Sequence, residues 1–169
     1  MARPIIKIEQ EPVDRILEFV ALAGVLVMLI YSAASYSALP ERIPMHFNAA
    51  GEPDGFGGKK MIWLLPAIGL VSYLGMTLMN RYPHTFNYLV KITEENARYH
   101  YRTATRMINT LKAVIMALFA YIHYMTIQVA LGKMTGLGPW FLPVFLVAVL
   151  GTVGYFLWKS SQKTGKNGR

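Results

Sequence analysis

The stretch "LPERIPMHFNAAGEPDGFGGKK", Leu39–Lys60, separates two long apolar runs. A connection of this size needs only to be polar and flexible. This one sets a His-Phe-Asn triplet behind two prolines and then enters a Pro-Asp-Gly sequence. Pro40 and Pro44 bias Leu39 and Ile43 toward extended backbone. The pattern predicts an extended arm over Ile43–Asn48, a type I turn at Glu52-Pro53-Asp54-Gly55 and a glycine-rich return. What the segment connects decides the fold.

Charged residues are absent from Phe19 to Pro40 and from Met61 to Asn80, and again from Ala113 to Gly132 and Met134 to Trp158. Each run is about 20 residues or more, roughly 30 Å as a helix, which matches the hydrocarbon core of a bilayer. The chain is 54% hydrophobic and 15% charged. These features predict an all-α integral membrane protein with four transmembrane helices over Ile16–Ser37, Met61–Asn80, Ala113–Leu131 and Trp140–Trp158. The small residues of "SAASYSA" offer a cleavage pattern after the first run. That run is too long for a signal peptide, and the segment before it carries as many acids as bases, so an uncleaved anchor is expected.

Basic residues set the orientation. The N-terminal segment, second loop and tail hold three, six and four Lys or Arg, 13 in all, and the other two loops hold four. By the positive-inside rule both termini are cytoplasmic and Leu39–Lys60 is an ordered extracytoplasmic loop. The net charge of +8 then meets anionic lipid headgroups, not nucleic acid. The chain reads as one membrane domain over 1–169. Residues 1–15 form a loose cytoplasmic arm, 16–80 a helix-loop-helix unit, 81–158 an amphipathic helix with spans three and four, and 159–169 a basic, disordered tail.

Thr93 is the expected N-cap of a cytoplasmic extension leading into the third span, with Glu94 and Glu95 in its first turn. Arg98, Arg102 and Arg106 recur every four residues and line one face, placed for lipid phosphates. Pro66 is expected to kink the second span.

The four histidines are separated by this topology, so they make no zinc set. The Asn48–Asp54 run lacks the alternating ligands of a calcium loop. No metal or cofactor is expected. There is no cysteine, and no nucleophile or phosphate-loop motif. His123, at midplane depth, is the intramembrane candidate. As a structural group it would bond Tyr31, Ser72 or Tyr73. Glu18 is expected to pair with Arg15 at the interface.

The series Leu39, Pro40, Pro44, His46, Phe47, Asn48, Gly51, Asp54, Gly55 and Lys59 resembles a bacterial membrane-protein family of unknown function. Its loop domain also begins the Sdp-type immunity proteins, which protect a cell from a secreted toxic peptide. The resemblance covers the first two spans. It implies a bacterial inner-membrane protein and points to His46, Phe47, Asn48, Gly51, Asp54, Gly55 and Lys59 as a site for a protein or peptide, or as a structural tie. As a tie, Phe47 inserts between helix ends while His46 and Asn48 make buried bonds to the return around Asp54. The leading reading is a non-enzymatic accessory, sensor or immunity-type protein. Rival readings are a transporter or channel subunit that uses His123, as a homo-oligomer, and a membrane enzyme with His46 and Asp54 as acid and base.

Overall fold

The computed structural model of the chain describes residues 3–162. Helix α1 spans Pro12–Ser35 and ends in a 3₁₀ turn at Tyr36–Ala38. Strands β1 (Arg42–Phe47) and β2 (Pro53–Gly58) follow, then a 3₁₀ turn over Lys59–Trp63 and helix α2, Leu64–Met79. A short turn at Pro83–Thr85 precedes α3 (Glu94–Ala130), and α4 covers Phe141–Gln162. Each of the four helices, α2 together with the 3₁₀ turn that leads into it, is long and apolar enough to cross a membrane.

Helix α1 begins four residues before the expected Ile16. Pro12 suits the first helical position because its missing N–H would have no partner there. Asp14 then accepts a hydrogen bond from the Glu11 amide at 2.9 Å. Along its length α1 lies parallel to α3, since Asp14, Glu18 and Ser32 meet Arg106, Lys112 and His123 in that order. Between those contacts the helices approach closely. A Cβ on Gly24 would sit 2.9 Å from the Met116 carbonyl oxygen. Ala21, Val25, Met28, Ala113 and Met116 form the core of this seam. Helix α2 returns against both, while α4 packs chiefly on α3. Thus α2 and α4 flank α3 with a cleft between them.

Two features differ from the sequence expectation. Pro66 does not need to kink α2, because the helix starts at Leu64 and the proline falls in its first turn. Residues 3–11 are not a loose arm. Arg3 donates to the carbonyls of His84 (3.2 Å) and Phe86 (2.6 Å), and the Tyr101 hydroxyl donates to the Pro4 carbonyl at 3.0 Å. The tail from residue 163 onward lies outside the described residues.

The loop is a two-stranded antiparallel hairpin with irregular register around His46, where Pro44 faces Phe56 and His46 faces Gly55. The turn expected at Glu52–Gly55 is instead at Asn48–Gly51. Asn48 Oδ1 accepts from the amides of Ala50 (2.9 Å) and Glu52 (3.0 Å), which closes the chain four residues early. Pro53 is left to open β2, a position that tolerates its missing N–H. Gly51, at φ +81°, supplies the left-handed residue.

The α3–α4 loop clamps this turn. The Leu137 amide donates to the Gly51 carbonyl at 2.7 Å, and a Cβ on Gly136 would lie 2.1 Å from that same oxygen. Gly51→Ala should therefore destabilise the protein in detergent by about 1–3 kcal/mol from the strain of its positive φ, and Gly136→Ala should destabilise it through the clash of its methyl with the Gly51 carbonyl. Gly154→Ala, where the added methyl meets nothing within 4 Å, should leave melting unchanged or slightly raised. Equal melting of all three variants would refute the clamp.

Candidate functional site

Beneath the hairpin is an open cavity of about 360 Å³. Its roof is β1, from Ile43 to Phe47. One wall is the start of α2 (Met61, Ile62, Leu64, Leu65, Ile68), and the other is Leu137 and Phe141. Its back is α3, through Ile122, His123 and Thr126. Ile43 is fully buried, packing with Leu39, Ile62 and Ile127, so β1 is nailed to the helix ends at that residue. Phe47, expected to be the anchor, is only half-buried and lines the cavity.

The structure brings His46, Asp54 and Gly55 together. His46 Nδ1 lies 2.5 Å from Asp54 Oδ1, and the missing side chain of Gly55 admits the His46 Cβ, which a Cβ there would meet at 3.1 Å. The pair is not buried as expected: the two side chains are 73% and 44% exposed. Asn48 ties the turn, donating also to Glu52 Oε2 at 3.2 Å. Lys59 sits at the other end of the hairpin, 2.8 Å from Glu41 and over the Tyr36 ring. The seven residues therefore divide into a dyad at the cavity rim, a turn and a closing ion pair. Among the described residues no group of three or more His, Asp or Glu could hold a metal ion.

His123 is 2% exposed and its Nε2 meets Ser32 Oγ at 2.8 Å. None of the expected partners is used. Tyr31 accepts from Gln128 at 2.7 Å and stacks on Tyr124, and Tyr73 donates to Glu18 at 2.5 Å. The seam between α1 and α3 puts Ser32 and not its neighbour against His123.

Glu18 does not pair with Arg15. Its second oxygen accepts from Lys112 Nζ at 2.5 Å, and Lys112 also donates to Thr77 at 2.8 Å. Lys112 is wholly buried. This cluster was missed, yet a signal for it exists. Glu18 and Lys112 each stand immediately before an apolar run, at Phe19 and Ala113. In parallel helices those positions share a depth, and their charges are opposite. A polar cavity of about 70 Å³ reaches the cluster from the helix end, lined by Asp14, Asn80 and Asn109 among others. Its polar walls and size suit water.

The arginine stripe is also reassigned. Arg98 is exposed. Arg106 instead forks onto Asp14 (2.8 and 2.9 Å) and reaches Glu11 at 2.7 Å, and Arg102 reaches Glu11 at 2.8 Å. Two of three expected headgroup contacts thus hold the start of α1 to α3. The hydrogen bond from Arg106, then the charge of Arg102, holds the Glu11 carboxyl below its ordinary value of 4.5. Its contribution is present near neutrality and fades as pH falls through 4.5 and below.

Residues 23–70 match a domain of unknown function, DUF1648. The DUF1648 segment takes in the second half of α1, the whole hairpin and the first turns of α2, so it contains the cavity roof and one wall. An uncharacterized protein of Archaeoglobus fulgidus is 29% identical over 141 residues, covering 75% of this chain and 77% of its own length. That similarity extends well beyond the DUF1648 segment. No solved structure matches the chain. The protein is thus a small helical membrane protein with an ordered extramembrane region.

The two polar clusters should respond differently to mutation. Lys112→Met removes the cation from a half-buried Glu18 that keeps only its Tyr73 hydrogen bond, and should destabilise the protein by about 1–3 kcal/mol. Adding Glu18→Leu should recover much of that loss. His46→Ala, which breaks an exposed pair, should cost less than about 1 kcal/mol. Unfolding in detergent measures all three. A double mutant no more stable than Lys112→Met would show that Glu18 and Lys112 do not depend on each other.

Proposed function

We propose that the protein is a multi-pass binding protein of the bacterial cell membrane, of accessory, sensor or immunity type, whose outward hairpin roofs the site. Both termini are cytoplasmic in this reading, and α3 before Lys112 is the cytoplasmic extension. The 13-to-4 split of basic residues supports that orientation. The observation that carries binding is the cavity itself. At about 360 Å³ it lies within the range of small-ligand sites, with mostly apolar walls and a few polar groups.

The orientation has a direct test, because the chain has no cysteine. Ala49→Cys should react with a membrane-impermeant maleimide in intact cells, and Lys7→Cys should react only after lysis. The opposite pattern would reverse the topology. Binding is tested by placing a benzophenone amino acid at Phe47 in the full chain and irradiating native membranes. A discrete adduct should form, identified by mass spectrometry, and Ile122→Trp should abolish it by filling the cavity. No discrete adduct at Phe47 would count against a binding site.

The His46–Asp54 contact supports a second reading, in which the dyad is an acid–base pair acting on a ligand in the cavity. His46→Gln separates the two. It should leave the Phe47 adduct unchanged if the protein only binds, and should increase the adduct of an unturned substrate if the dyad performs chemistry.

A further inference from the structure

We infer that the cavity takes its ligand sideways from the bilayer, and that this ligand is one acyl chain of a membrane phospholipid whose polar end rests at the hairpin rim. The inference rests on the binding reading above and names its ligand class.

The position of the opening is the first support. Of the lining residues, Met61, Leu64 and Ile68 are 44%, 43% and 45% exposed. Leu64 and Ile68 occupy the first two turns of α2, within its membrane-crossing segment, so the exposed side of the cavity faces hydrocarbon. From the water side the way in is closed by β1. Ile43 and Pro44 are buried there, and Leu137 is bonded to the hairpin turn. A water-borne peptide would have to unseat this roof, whereas a lipid chain meets an open flank.

The second support is continuity with the lipid-facing surface. Helices α2 and α4 both pack on α3 and run on below the cavity as membrane-crossing segments. Exposed Val71, one turn beyond Ile68, and exposed Val144, one turn beyond Phe141, carry the apolar surface on from the cavity walls.

The distribution of polarity is the third. His46, exposed, stands on the cavity lining at the hairpin. Deeper in, the polar side chains are His123, already engaged by Ser32, and Thr126. A ligand with one polar end and a long apolar body fits that gradient. The His46 ring supplies the rim with a hydrogen-bonding group for a polar headgroup. A volume of about 360 Å³ is near the lower limit for ligand sites, which favours one chain over a folded two-chain body.

The test uses the full chain in nanodiscs of synthetic phosphatidylglycerol doped with an analogue bearing an acyl-chain diazirine. After irradiation, adducts are mapped by peptide mass spectrometry. They should concentrate on Ile68, Ile122 and Phe141, several-fold above Val27 and Ile30 on the exposed face of α1. Ile68→Trp should lower labelling at Ile122 and Phe141 several-fold and leave α1 unchanged. Leu64→Trp serves the same purpose should the first variant fail to fold. Adducts spread evenly over all lipid-facing helices, or insensitive to both variants, would overturn the inference. Were the Phe47 adduct to form in native membranes while cavity labelling stayed at the α1 background, the binding reading would survive and the lipid assignment would fall. Loss of both would remove both.

Discussion

The parallel seam between α1 and α3 is the constraint on which the rest of the molecule depends. Two helices of the same direction must be joined through a third that runs back, and α2 fills that role. The seam is close because Gly24 has no side chain and lets Met116 approach. It is held in register at three depths by unlike means. Arg106 with Asp14 and Glu11 fixes one end, Lys112 with Glu18 the next level, and His123 with Ser32 the other half. A slip of one helical turn would strand a buried Lys112 without its carboxylate. Buried ion pairs add little net stability, but breaking one is costly, so they penalise wrong registers strongly.

The seam also explains why the hairpin is ordered. A two-stranded ribbon alone is marginal in water. Here Ile43 packs on Ile127 of α3 and Ile62 before α2, while the turn is held by the loop after α3. Both holds depend on where α3 ends. The helix is 37 residues long, about 55 Å, far more than a bilayer core requires. Its excess projects at the end opposite the hairpin, where it meets the N-terminal arm. One helix therefore serves as the back wall of the cavity and as the platform for the far end.

The four membrane-crossing helices were legible in the sequence because charge-free runs of that length have few other uses. The hairpin was half legible. Prolines 40 and 44 announced extended backbone, but the turn was misplaced. Pro53-Asp54-Gly55 has the better local turn chemistry, and it lost to Asn48, whose side chain caps two amides, and to the clamp on Gly51. That clamp comes from residues about 85 positions later and leaves no local trace. The histidines show the same limit. Depth could be read from position along a span, but the facing partner depends on helix rotation, which separates Ser32 from Tyr31. The Arg98–Arg102–Arg106 stripe is the instructive case. Periodicity identified one face correctly as cationic and could not say that Glu11 and Asp14 would cover it.

The distribution of rigidity along the seam argues for where function is located. At the end away from the hairpin, almost every charged group in the interior is answered by an opposite one, and the cavity among them suits only water. Those residues hold register. At the hairpin end the groups are under-used: the His46–Asp54 pair is solvent-exposed, Phe47 is half-buried, and an apolar volume is left unfilled beside a roof fixed at Ile43 and Gly51. A fold that packs Gly24 against Met116 backbone to backbone has no general difficulty in filling space. The void therefore follows from geometry: α2 and α4 both pack on α3, and the hairpin bridges the helix ends above the gap between them. Closing it would require α2 to meet α4, and that would displace Ile62 from Ile43 and release the roof. Order in the hairpin and openness beneath it are consequences of one arrangement.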